Sequence, residues 1–425
     1  MAMMRFKRLF LFFLFAACHA LCASAQGNDS LKHWGGSVNV NPGYLLKTKQ
    51  YDGKYGISSK RNFAVSAELS YSCLPSDSDA FAADYNYPVI SVGVKYAVNN
   101  NIHFHRLPDY DWGGVNDVDY DSHVGNSIAL YGKFARTLYR NRRFQADASV
   151  QMGAAYSNTI YDKYNNVDND LIGSHLSIYF GAGAYLTYMV AKDWGVKAGV
   201  EYWHLSNGAL DRPNKGSNFI GPLLGVCYMP YYKDVVGTRY DQSGEAFDKY
   251  WYLNFTAGVG AKTLEEDWNE TQSELPHDHP DFRTEKFHLY MAYSAQADIM
   301  YRYARRWASG IGFDMFYGSY ASRIEERDKQ KNFTDKHSPW SFGISAKHQV
   351  FYHDVSMNVS LGYYFFREMG NRAKIVEKRY YESIGAQYHC KALGGLAIGF
   401  RVKAHLVKAD YTELLLSYPI RFKKK

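Results

Sequence analysis

His204 and Ser206 stand two residues apart at the close of an apolar-alternating segment, and a polar stretch follows at once: Asn207-Gly208-Ala209, then Arg212-Pro213-Asn214-Lys215-Gly216. In an extended chain, residues i and i+2 point to the same face. The pair therefore sets a candidate general base beside a candidate nucleophile on one short element. The chemistry such a pair can do is acyl transfer, with the histidine taking the hydroxyl proton and the serine oxygen attacking a carbonyl carbon.

The element that carries them reads as a strand. Ala198, Val200 and Tyr202 fall on one face, Lys197, Gly199 and Glu201 on the other. The same period of two recurs along the chain and predicts strands near residues 34–45, 61–73, 87–98, 124–138, 143–157, 175–190, 193–206 and 217–231. It predicts a second run near 249–262, 284–303, 306–321, 339–353, 355–367, 379–389, 394–405 and 409–422. Aromatics make up 17% of the residues, with 38 Tyr against 8 Trp, and Gly is abundant at 35. Mean hydropathy is nevertheless −0.40, and beyond the N-terminus no apolar run approaches the ~18 residues of a membrane helix. A chain that is polar on average yet Tyr- and Gly-rich and patterned with period two predicts an all-β fold, an antiparallel transmembrane β-barrel of the bacterial outer membrane. We expect about 12–16 strands in a single barrel spanning residues 26–425. Short turns at 140–141, 192–193, 304–305, 353–354 and 391–392 alternate with long polar loops, as periplasmic turns and outer loops do. The segments 74–86 and 232–248 are long where turns are expected, and 406–408 is short where a loop is expected.

The first residues read as an export signal. Arg5, Lys7 and Arg8 precede the apolar run Leu9 to Ala17, and Ala23-Ser24-Ala25 forms a small-x-small cleavage site, so residues 1–25 are expected to be removed. The three basic residues leave with them, taking the net charge from +7 to +4, too small an excess to imply nucleic acid. Cys73, Cys227 and Cys390 remain, too scattered for a disulfide framework or a metal site. By the alternation of the strand, His204 and Ser206 then face lipid at the end where an outer loop begins. A polar pair at that place suits work on a lipid headgroup or the first carbons of an acyl chain.

The run His204-Leu205-Ser206-Asn207-Gly208 followed by Pro213-Asn214-Lys215-Gly216 resembles the outer-membrane lipid A 3-O-deacylases of PagL type and the bacterial acyloxyacyl hydrolase-like proteins grouped with them. The resemblance spans about 198–231. It implies a barrel that removes an ester-linked acyl chain from lipopolysaccharide, with His204 as base, Ser206 as nucleophile and Asn207 in the oxyanion hole. Two features depart from the family pattern. Its best-known members are eight-stranded, and this chain is long enough for about twice that. The family's third catalytic residue is a glutamate, and Asn218 stands at that position. An asparagine can orient a histidine but cannot stabilise imidazolium by charge, and Asp211 is a possible substitute acid. The resemblance implies membrane-embedded lipid A or lipopolysaccharide of the outer leaflet as partner, and no cofactor or metal. The alternative is a non-enzymatic barrel, a diffusion channel or structural protein with a degenerate site.

Other motifs read as solvated surface. His103-Phe104-His105 and His277-Asp278-His279 lack a third ligand at metal-site spacing. The basic groups Arg140, Arg142, Arg143 and Arg302, Arg305, Arg306 fall at predicted periplasmic turns. Lys197 and Glu201 are expected in a polar network inside the barrel.

Overall fold

The computed structural model describes residues 29–46, 55–57, 60–106, 121–237, 246–276, 278–406 and 408–422. The export signal lies outside the described residues, as do His277 and the side chain of His105.

Each expected strand is present, and the sheet closes twice. The first barrel is built from β1 (Trp34–Leu45), β3 (Arg61–Tyr71), β4 (Val89–Val98), β7 (Ser127–Arg140), β8 (Phe144–Ser157), β9 (Leu176–Met189), β10 (Trp194–Ser206) and β11 (Ser217–Tyr228). These run antiparallel in chain order and close by pairing of β1 with β11. Three short strands, β2 (Tyr55–Ile57), β5 (His103–Arg106) and β6 (Asp121–His123), form a separate small sheet. The second barrel comprises β12 (Tyr250–Lys262), β13 (Tyr290–Arg302), β14 (Trp307–Gly318), β15 (His337–Tyr352), β16 (Val355–Met369), β17 (Tyr380–Cys390), β18 (Leu396–His405) and β19 (Lys408–Arg421), closed by β12 against β19. The expectation of one barrel is thus corrected: the sixteen barrel strands are shared equally between two closed barrels. The chain divides into two compact units, the first holding the first barrel and the second holding the second barrel together with residues 207–214.

Both interiors explain the closure. An eight-stranded barrel is just wide enough for inward side chains to fill it. In the first barrel Lys133 bonds Glu68 at 2.9 Å, Lys95 pairs with Glu201, and Tyr185 donates to Glu201 at 2.6 Å. In the second, Lys347 reaches Asp298 at 2.5 Å and Asp314 at 2.9 Å, and Arg401 bonds Glu413 at 2.8 Å. These buried charges are offset only because each meets an opposite charge across the lumen. Among the cavities that remain are one of about 20 Å³ bordered by Glu68, Lys133 and Asp147, and one of about 40 Å³ bordered by Asp298, Lys347 and Arg401.

The irregular segments have distinct roles. Residues 74–86 carry a short helix, Ala80–Asp84, capped by the Asp79 side chain on Ala82 N–H at 3.0 Å. Arg140 is buried, not a solvated turn residue, and donates to the carbonyls of Asn86, Tyr87 and Val235. It thereby ties that segment and the helix Tyr232–Val235 to one end of the first barrel. The stretch 232–248, long for a turn, is the connection from one barrel to the next.

Candidate active site

β10 and β11 are the last two strands of the first barrel, and in their register His204 lies opposite Asn218. Opposed side chains share a face of the sheet. Trp203 and Leu205 point inward and are buried, so Tyr202, His204, Ser206 and Asn218 project from the outer wall, each half-buried. His204 Nδ1 lies 2.8 Å from Asn218 Oδ1, and the Tyr202 hydroxyl donates to the same oxygen at 2.6 Å. A carboxamide oxygen accepts only and has two lone pairs. One takes the Tyr202 O–H and the other the His204 Nδ1–H. The imidazole proton is thereby held on Nδ1, which leaves the Nε2 lone pair as the basic site.

Gly216 completes the support from beneath the ring. Its φ is +72°, and a Cβ there would stand 2.6 Å from His204 Cε1 and 3.1 Å from the carbonyl oxygen of Leu205. Only glycine adopts that backbone conformation cheaply while also approaching the imidazole so closely. The turn is held from the adjacent loop: Gly216 N–H donates to Leu171 O at 3.0 Å, Lys215 N–H to Asp170 O at 3.1 Å, and Lys215 Nζ to the Asp170 carboxylate at 2.6 Å.

Asn207 is buried, with its backbone N–H donating to Asn214 Oδ1 at 3.0 Å and its side-chain Nδ2 to Asp211 O at 3.2 Å. Asn214 therefore staples the loop in which the motif sits. The Asp211 carboxylate accepts the Arg212 N–H at 2.8 Å, and burial raises its pKa against the opposing pull of that N–H and the Arg212 charge. The hydrogen bond of His204 Nδ1 goes to Asn218, not Asp211.

Sequence reasoning brought His204, Ser206, Asn207 and Asn218 forward but passed over Tyr202 and Gly216. Tyr202 sits at i−2 from His204, so strand spacing alone places it on the same face. Among the described residues the second barrel shows no corresponding pair at this place. Its seventh strand, β18, ends on His405, whose side chain is buried, with Nε2 3.2 Å from the Tyr364 hydroxyl. His405, Glu377 and Asp410 place their ligand atoms within 4.8 Å of one another. Lys403 bonds Asp410 at 2.7 Å, and Lys262 and Arg367 hold Asp410 and Glu377 respectively. Three cations already neutralise those carboxylates, so a metal ion would meet like charge.

The fold is that of an outer-membrane protein of two β-barrels, the first carrying His204 on its outer wall. The model of the family "Lipid A 3-O-deacylase (PagL)" matches residues 80–226, and that of the "Acyloxyacyl hydrolase, C-terminal domain" matches residues 251–424. One match falls within each barrel, together they take in most of the chain, and the chain belongs to this family. No curated protein sequence matches it. Among solved structures, the outer membrane enzyme PagL is similar over 46% of this chain and 98% of that one, at 15% identity and a TM-score of 0.27. OccAB1 of Acinetobacter baumannii is similar over 92% and 97%, at 8% identity and a TM-score of 0.24. Similarities of that size carry nothing about the site.

Proposed function

We propose that this protein is an esterase that removes an ester-linked acyl chain from lipid A, with Ser206 as nucleophile and His204 as base. The observation that carries the reading is the His204–Asn218–Tyr202 arrangement on the wall of the first barrel. A histidine held in one tautomer, with Nε2 left basic and a serine on the same strand face, is what hydroxyl activation requires.

In the reaction, Nε2 takes the Ser206 proton as Oγ attacks the ester carbonyl. Asn207, through the second N–H of its side-chain amide, stabilises the oxyanion, a contribution of about 3–4 kcal/mol for such a donor. The tetrahedral intermediate collapses with cleavage of the ester C–O bond. His204 returns the proton to the departing sugar or hydroxyacyl oxygen. Water, deprotonated by the same nitrogen, then releases the fatty acid from Ser206. Asn218 orients the ring throughout but adds no negative charge to stabilise the imidazolium.

Placement on the outward face suits a substrate whose acyl chains lie in the membrane. The paired charges that cross each lumen, Lys133 with Glu68 and Lys347 with Asp298 and Asp314, weigh against a diffusion channel. The test is mass spectrometry of lipid A from cells expressing the wild-type protein or Ser206→Ala. Loss of one acyl mass with the wild type alone supports the esterase, and the mass identifies the ester. Identical lipid A from both, with each protein folded in the outer membrane, overturns it.

A further inference from the structure

The end of the first barrel opposite the site, where β8 and β10 begin, carries an open groove of about 470 Å³ that the esterase reading leaves unused. Four cations line it: Arg142 and Arg143 from the β7–β8 turn, Lys192 from the β9–β10 turn, and Lys233 from the helix Tyr232–Val235. All four are exposed. Among the described residues none has a carboxylate within ion-pairing distance, although Asp193 and Asp234 are their chain neighbours. Sequence spacing marked the two arginines as a solvated turn, but the fold gathers cations from three separate segments around one concavity. Like charges brought together without counterions cost free energy unless an anion joins them.

The rest of the lining is apolar and aromatic: Tyr188, Met189, Val190, Ala191, Tyr232 and Val236. It is continuous with the outer wall. Tyr188 faces outward and packs on Phe144, with ring centroids 4.9 Å apart, and Arg143 donates to the Tyr188 hydroxyl at 3.2 Å. Leu138, Tyr139, Phe144, Leu186, Val190 and Trp194 are exposed around this rim. Aromatic rings at a barrel rim mark the level of the headgroups. A cation cluster at that level, opening onto an apolar wall, matches a molecule with a phosphate at one end and acyl chains at the other.

We infer that this groove binds the headgroup of an anionic phospholipid in the leaflet at the short-turn end of the barrel. The phosphate sits among Arg142, Arg143, Lys192 and Lys233, and the acyl chains lie along Leu186 and Val190.

The experiment is native mass spectrometry of the full-length protein in detergent, titrated with phosphatidylglycerol, with phosphatidylcholine of the same chains, or with glycerol 3-phosphate. Phosphatidylglycerol is expected to bind about tenfold or more tightly than phosphatidylcholine, and Lys192→Gln to weaken it about fivefold, the usual worth of one basic residue at a membrane surface. The combined Arg142→Gln, Arg143→Gln, Lys192→Gln and Lys233→Gln protein should lose the preference. Lys329→Gln, an exposed lysine of the second unit, should not change it. Equal binding of the two lipids, no change in Lys192→Gln, an equal change in Lys329→Gln, or glycerol 3-phosphate binding as well as the lipid would each overturn the inference. Because Lys192 is exposed, its single variant keeps the test informative even if the fourfold variant fails to fold.

Discussion

The carboxamide oxygen of Asn218 is shared by two donors, the imidazole of His204 at 2.8 Å and the hydroxyl of Tyr202 at 2.6 Å. Asn218 and His204 meet because β10 and β11 pair in that register, and Tyr202 joins them through the two-residue repeat of β10. The amide is thereby turned with its oxygen toward the imidazole.

Asn218→Leu removes the acceptor and should lower kcat/KM by about 10- to 100-fold, because a hydrogen bond to a group that becomes charged is worth about 1.5–3 kcal/mol. Asn218→Asp restores an acceptor and adds charge beside the imidazolium, so its activity should equal or exceed that of wild type. Steady-state hydrolysis of purified lipid A by the three proteins measures both. A tenfold loss in Asn218→Asp would show that the amide does something other than accept from His204.

Tyr202→Phe leaves ring packing in place and removes one hydrogen bond to Asn218. The expected result is a fall of about two- to tenfold in kcat, the net worth of one neutral hydrogen bond, with KM unchanged. A changed KM with unchanged kcat would instead place the hydroxyl on the substrate.

Gly216→Ala puts a methyl group where the His204 ring lies, since an ideal Cβ would be 2.6 Å from Cε1. The strained positive φ should lower stability by about 1–2 kcal/mol, read from the urea midpoint. Activity should fall far more than that, because the ring must move off its bond to Asn218. Loss of stability with full activity would show that the imidazole does not depend on this contact.

Glu265 begins a short helix after β12 and is held by Arg372 and Lys408. Burial raises its pKa, but Lys408, Arg372 and Arg212 outweigh burial and bring it to about 2, from the ordinary 4.5. A depressed carboxyl contributes its full stability above its unfolded pKa and loses it as pH falls through the folded one. Glu265→Gln should therefore be less stable than wild type at pH 7. The gap between their denaturation midpoints should narrow as pH drops from 4.5 toward 2. A gap that does not change across that window would rule out the ion pair as its source.

The strands themselves were legible. Val196, Ala198 and Val200 alternate with Lys197, Gly199 and Glu201, and in the folded chain the first set lies exposed on the outer wall while Glu201 is buried in the lumen. The outward placement of His204 and Ser206 follows from the same alternation. What could not be read was the role of the long stretch after Tyr228. Its length broke the expected rhythm of short turns, yet nothing in its composition says that the sheet before it has already closed.

The sequence by itself therefore determined the all-β class, the position of each barrel strand, and which residues face the wall. Those properties depend on side-chain period and local turn chemistry, which are written along the chain. Only the tertiary structure decided that β1 joins β11 and β12 joins β19, that Asn218 and Tyr202 converge on His204, and that Arg142, Lys192 and Lys233 line one groove. Those outcomes depend on which strands pair and in what register. Pairing is settled by the filling of the lumen, where Glu68 must find Lys133 and Asp314 must find Lys347, contacts that period two does not encode.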